Sequence, residues 1–145
     1  MAEEVPPGFP QMTLGVMRAV CALTVLYPGK EGQGILCEVL DALFKSSWIE
    51  RRKTNEKEVL EEVLAGVLGG EEAGKVLAMA GKEGKEVLNK NTDLAFQDGG
   101  FGLPYFVATD SKGRTECFWG VDHIGQLTQH LGLEKPEAGG WKAVL

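Results

Sequence analysis

"DGGFGLPYFVATDSKGRTECFWGVDH", residues 98–123, is the stretch that decides the fold. Gly99, Gly100, Gly102 and Pro104 crowd into its first seven positions. Glycine admits positive φ and lets a second chain come close. Proline has no amide hydrogen to give a sheet, so it belongs at a strand start or edge. The opening therefore reads as a helix stop feeding a strand. Tyr105–Thr109 is rich in β-formers. Asp110–Gly113 is a turn with glycine at its last position, and Arg114–Trp119 is a second β-rich run. Together they predict an antiparallel hairpin. Gly120 ends it, and Val121–Leu131 reads as a closing helix.

Two points in this stretch stay open on residues alone. The bond before Pro104 can be cis at low cost. A cis bond would turn the Leu103 amide and carbonyl out of the sheet, where an extended peptide could add alongside. A plain glycine stop and a trans proline is the simpler reading of the composition. Asp122, near the start of the closing helix, suits the exposed amides there as a cap. It would equally accept a hydrogen bond from a ligand ammonium group.

Upstream the pattern is helical throughout. Residues 1–10, "MAEEVPPGFP", form an irregular leader. Thr13 is placed to cap a helix over Leu14–Leu26, whose apolar face carries Leu14, Met17, Val20, Cys21 and Leu23. "YPGKEG" at 27–32 stops it. A second helix runs Gln33–Trp48, with Ile35, Leu36, Val39, Leu40, Leu43 and Phe44 at helical spacing. "RRKTNEKE" connects to Glu58–Val67, with Thr54 or Asn55 as the next cap. Helices near Glu71–Ala80 and over Lys82–Gln97 follow. The fold class is mainly α with one β-hairpin. The expected divisions are a leader over 1–12, a helical domain over 13–97, a hairpin-and-helix part over 98–133 and a tail over 134–145. A two-stranded hairpin is marginal alone, so it needs helix cover or further strands.

Composition narrows the function. The 145 residues suit one domain, and 43% hydrophobic residues supply a core. A net charge of -6 argues against nucleic acid or an anionic membrane as the partner. No apolar run reaches the roughly 18 residues of a membrane span. The leader lacks the basic apolar stretch of a signal peptide and the arginines of a transit peptide, which makes the cytoplasm the expected compartment. Cys21, Cys37 and Cys117 are an odd number without CxxC spacing. Free thiols are expected, with Cys117 buried and inert in its strand.

"FGLPYFVA" followed by "ECFWGVDHIGQLTQHLG" resembles the C-terminal part of the kappa class of glutathione transferases. These are DsbA-like thioredoxin-fold proteins, with the 2-hydroxychromene-2-carboxylate isomerases as relatives. "FPQMTLGVMRAVCAL" resembles the entry to that family's inserted helical domain, and "NKNTDLAFQDGGFGLP" the helix leading back out. The resemblance covers about residues 9–133 and is strongest over 92–123. It implies a truncated DsbA-like thioredoxin fold with its helical insertion. It also implies a kappa-like glutathione transferase that binds glutathione, or a thiol peptide, as substrate at a cis-proline loop, with no metal. Leu103 would pair main chain to main chain with the ligand and Pro104 would shape the loop. Val121, Asp122 and His123 would hold the γ-glutamyl end. Val121 stands where the family has a serine, and His123 where a basic residue is usual.

The family's front strand, catalytic turn and helix have no counterpart in residues 1–10, so no catalytic residue is expected here. That makes a non-catalytic interaction module the alternative. Kappa-like enzymes are dimers, so a homo-oligomer or a pairing with a full-length relative is expected through the hairpin edge. Members of the class also occur in mitochondria and peroxisomes.

Overall fold

The structure is a computed structural model and describes residues 5–134. Residues 1–4 of the leader and nearly all of the tail (135–145) lie outside the described residues. The chain divides into two compact units, 1–91 and 92–145.

The first unit is a helical bundle. Its elements are α1 (Leu14–Leu26), α2 (Gly29–Phe44), a π-helical turn (Lys45–Ile49), α3 (Lys57–Leu68), α4 (Gly70–Ala80) and the start of α5 (Glu83–Gln97). Helix α1 packs on α2 and α4, and α3 packs on the same two helices. The apolar stripes meet in one core of Ala19, Ala22, Leu23, Val39, Leu43, Leu60, Val63, Leu64, Ala73 and Val76. Burying such stripes is what stabilises helices of this length, since isolated ones are marginal in water. Two glycines set close approaches. A Cβ on Gly84 would lie 2.1 Å from the Arg18 carbonyl oxygen, so α5 can touch α1 only through glycine. A Cβ on Gly32 would lie 1.8 Å from the Tyr27 carbonyl oxygen. Tyr27 also clips α1 to α4, its hydroxyl donating to Glu72 Oε2 over 2.7 Å.

Several local expectations change. Thr13 occupies the N-cap of α1 but makes no capping hydrogen bond; its hydroxyl faces Met17 Sδ at 3.8 Å. Helix α2 begins at Gly29 instead of Gln33, because Pro28 is extended at the N-cap and the glycines continue into the first turns. It ends at Phe44, and residues 45–49 widen into a π turn, with the Glu50 amide donating to the Lys45 carbonyl. Glu56, not Thr54 or Asn55, occupies the N-cap of α3, without a side-chain capping bond, and Thr54 is buried. The leader is irregular but held down: Pro6 is buried, Arg51 Nη2 donates to the Val5 carbonyl and Phe9 meets Trp48 with ring centroids 5.8 Å apart.

The second unit, residues 92–134, holds β1 (Tyr105–Thr109), β2 (Thr115–Trp119), a 3-10 turn (Val121–His123) and α6 (Ile124–His130). β1 and β2 are antiparallel, with Tyr105 opposite Trp119, Val107 opposite Cys117 and Thr109 opposite Thr115. Side chains alternate between faces. Ala108 and Phe118 are buried on the face that α6 covers. There His130 Nε2 lies 3.1 Å from the carbonyl oxygens of Ala108 and Arg114, and its ring meets Phe118 at 5.7 Å.

The hairpin tip is locked by Asp110. Its Oδ1 accepts from the amides of Lys112 (2.8 Å) and Arg114 (2.9 Å). Its Oδ2 accepts from Arg114 Nε at 2.7 Å and pairs with Arg114 Nη2 at 2.7 Å. The Arg114 amide, with its guanidinium and the Lys112 amide, holds the Asp110 carboxyl below its ordinary range, against the opposing effect of burial. A lowered native pKa stabilises the fold above the unfolded value of about 3.9, and that contribution disappears as pH falls through the native value. Asp110→Asn is therefore expected to be less stable than wild type near pH 6 and to lose less on acidification. Urea melts from about pH 6 to pH 2 read this directly; an unchanged acid dependence would refute it.

Candidate functional site

The stop before the hairpin is a Schellman motif. Gly99, at φ 81°, donates its amide to the Phe96 carbonyl over 3.0 Å, and Gly100 donates to Ala95 over 2.8 Å. These two bonds satisfy carbonyls that the end of α5 leaves open. A Cβ on Gly100 would sit 2.8 Å from the Ala95 oxygen. Gly102 is constrained by a side chain instead, since a Cβ there would lie 2.5 Å from Trp119 Nε1. The indole lies flush on the loop, with the Phe101 ring 5.0 Å away. Phe101 also meets Tyr105 edge-on at 6.2 Å, and Tyr105 Oη donates to the Asp98 carbonyl at 3.1 Å. The three glycines thus serve the loop's own packing. The neighbouring Cys117 thiol, with burial and Asp98, pushes the Tyr105 hydroxyl up, so it is a neutral donor at physiological pH.

The Leu103–Pro104 peptide is cis. Across the hairpin, the Gly120 amide donates to the Pro104 carbonyl over 2.9 Å. That bond brings Leu103 and Pro104 to the same end of the hairpin as Val121, Asp122 and His123. All five sequence-predicted residues therefore share one region. Leu103 is 81% exposed, and neither its amide nor its carbonyl has a hydrogen-bond partner among the described residues. Pro104 and Val121 are exposed.

Asp122 lies in the 3-10 turn, before α6 begins, and its side chain is 78% exposed. It makes no capping bond to the turn's amides. The carboxylate folds back so that Oδ1 would meet a Cβ on Gly120 at 2.3 Å, a contact the exposed side chain can swing away from, so it is the φ of 87° that calls for glycine there. Oδ2 lies 3.3 Å from His123 Nδ1, a nitrogen buried from solvent without a hydrogen bond.

Sequence reasoning missed the aromatic platform of Phe101, Tyr105 and Trp119. The period-two alternation held the signal, since it puts Tyr105, Val107, Cys117 and Trp119 on the face opposite Phe118. The expectation of a buried Cys117 is wrong for that same reason: the thiol is exposed, on the face that α6 does not cover. Cys21 is half-buried and Cys37 exposed, both free, and burial pushes the Cys21 thiol up.

A helix-covered hairpin entered through a Gly-rich proline loop, following a helical bundle, defines a thioredoxin-type protein with a helical insertion. The chain belongs to the family of the DSBA-like thioredoxin domain, whose model matches residues 1–132. No curated protein is significantly similar to it. Among the described residues no helix is long and apolar enough to cross a membrane, and no three His, Cys, Asp or Glu side chains gather in a way that could hold a metal ion.

Gly102→Ala places a methyl group where the Trp119 indole lies. The expected result is a displaced indole, seen as a shift of one indole N–H resonance, with about 1–3 kcal/mol lost stability from overpacking. Indole resonances identical to wild type would contradict the close approach.

Proposed function

We propose that this DsbA-like protein binds glutathione, or a thiol peptide of the same chemistry, at the hairpin end. In this reading it is a kappa-like glutathione transferase relative, with glutathione as substrate and no metal. The observation that carries the proposal is the Leu103 main chain, exposed and unpaired at a strand start beside Pro104. An extended peptide recognises such a donor and acceptor by adding alongside. The Asp122 carboxylate, exposed at the same end, suits the γ-glutamyl ammonium group, and a hydrogen bond to a charged group contributes about 1.5–3 kcal/mol. Val121 offers only an apolar wall there, and His123 an imidazole beside Asp122.

Transfer chemistry demands more than binding. A free thiol titrates near 8.5, so a thiolate at neutral pH needs a donor or a positive charge beside its sulfur. In this reading the Leu103 amide is taken up by the ligand main chain, and no side chain of Leu103, Pro104, Val121 or Asp122 supplies one, which among the five leaves His123. We therefore read these residues as the binding half of a glutathione site, with catalysis impaired.

Calorimetry with reduced glutathione tests this. Wild type is expected to give saturable heat, and Asp122→Ala to weaken binding about tenfold or more. No heat from wild type, or equal affinity in the variant, would sink the assignment.

A second reading has its own support. Phe101, Leu103, Val107, Trp119 and Val121 are all exposed, and apolar surface gathered on one small unit marks an interaction site. As a non-catalytic module, the protein would pair with itself or a longer relative through this face or the hairpin edge. Light scattering at tens of micromolar should then report a dimer that Val107→Glu dissolves; a monomeric wild type rejects the self-pairing.

A further inference from the structure

The second unit separates its charge from end to end. Among its described residues, 92–134, the lysine and arginine side chains are Lys112 and Arg114, both at the hairpin tip. Arg114 is held there by Asp110 at 2.7 Å. The opposite end lies one five-residue strand away, about 17 Å. It carries two exposed carboxylates, Asp98 and Asp122, and no lysine or arginine. Asp122 has His123 beside it, whereas Asp98 has no ion-pair partner among the described residues.

The aromatic rings stand at this acidic end. Phe101 is 74% exposed and Trp119 49%, and the Phe101 ring meets both Trp119 and Tyr105. Asp98 belongs to the same group, because its carbonyl accepts from the Tyr105 hydroxyl at 3.1 Å. An aromatic face attracts cations, and the planar guanidinium of arginine stacks on it best. Exposed rings bordered by carboxylates are complementary to a positive partner.

The strand ladder decides which main-chain groups that partner can reach. At one end the Gly120 amide donates to the Pro104 carbonyl, and at the other the Asp110 amide donates to the Arg114 carbonyl. Bonded pairs alternate along antiparallel strands. Pro104, Phe106 and Ala108 therefore face β2, while Leu103, Tyr105 and Val107 turn their amides and carbonyls to the outer edge. No backbone bond crosses that edge among the described residues. β1 carries no charged side chain to guard it, whereas β2 carries Glu116. An extended chain can add along such an edge.

We propose that this end of the second unit docks an extended peptide segment bearing an arginine. Its main chain pairs along β1 from Leu103, and its guanidinium lies on the Phe101 ring with Asp98 and Asp122 as counter-charges. The inference rests on the extended-partner reading above and adds the partner's charge; it needs neither a thiol nor a γ-glutamyl group.

The probe is the blocked peptide acetyl-Ser-Val-Thr-Arg-Thr-Val-Ser-amide. Titrated into the full chain, it is expected to bind saturably and to shift the amide resonances of Phe101, Leu103 and Val107 and one indole N–H, leaving Lys112 and Leu64 in place. Citrulline in place of the arginine keeps the shape and removes the charge, and should weaken binding about three- to tenfold. Added salt should weaken the arginine peptide and leave the citrulline peptide unchanged. Asp98→Asn should weaken the arginine peptide about threefold and the citrulline peptide not at all. Equal affinity of the two peptides would overturn the inference and leave an extended partner standing. No shift with either peptide would remove both. Shifts centred on the hairpin tip or on the first unit would overturn it, and so would shifts at Leu103 and Val107 on raising protein concentration alone, which would assign the edge to a second copy. Glutathione heat without peptide shifts would sink this inference only; peptide shifts without glutathione heat would sink the glutathione reading only. The two peptides on wild type decide the matter even where the variant fails to fold.

Discussion

The 2.9 Å bond from the Gly120 amide to the Pro104 carbonyl extends the hairpin ladder one residue beyond Tyr105 and Trp119. Everything proposed for the second unit depends on it. Without that bond, the proline loop and the turn carrying Asp122 would be two loose ends. With it, residues 103–104 and 121–123 leave the sheet together. The register behind it is protected from slipping. A one-residue shift would exchange Phe118 for its neighbours on the covered face and break the 3.6 Å approach of Glu116 Oε1 to His130 Nδ1. At the other end, the four hydrogen-bonding contacts to Asp110 fix where the chain must turn.

That register also sorts the unit into two unlike faces. Ala108 and Phe118 are sealed by α6, whose His130 ties back to two strand carbonyls. The opposite face keeps Val107, Cys117 and Trp119 in reach of solvent, with Phe101 and Gly102 folded against the indole. An apolar face so exposed and a main chain so free at Leu103 support the same proposal, that an extended partner, a peptide or a strand, docks at this end of the unit. The glutathione proposal uses the Leu103 main chain and the Asp122 carboxylate, whereas the interaction-module proposal uses the exposed apolar side chains beside them.

The helical unit follows a different logic. Its core is continuous from α1 to α4, and small residues rather than large ones govern how close the helices come. Gly84 against Arg18 and Gly32 against Tyr27 are contacts that any side chain would prevent. The leader completes the unit, since Pro6 is buried and Phe9 meets Trp48. In doing so it lines an apolar cleft together with residues of α1 and α2.

Much of this was legible in the residues. Apolar spacing placed α1 and both strands, because burial of one face is a local demand that the pattern states directly. The turn at Asp110–Gly113 and the helix stop at Gly99 were legible for the same reason: glycine at positive φ is a local necessity. The start of α2 was not, because "PGKEG" reads as a breaker until Gly32 is seen packed against Tyr27. Nor was the exposure of Cys117, which turns on which hairpin face α6 covers. The five site residues could be named from their resemblance to known motifs. That they lie at one end of the hairpin was decided by the pairing of strands. A sequence states what each segment can bury, whereas which surfaces remain unburied is settled only when segments distant in the chain choose their partners.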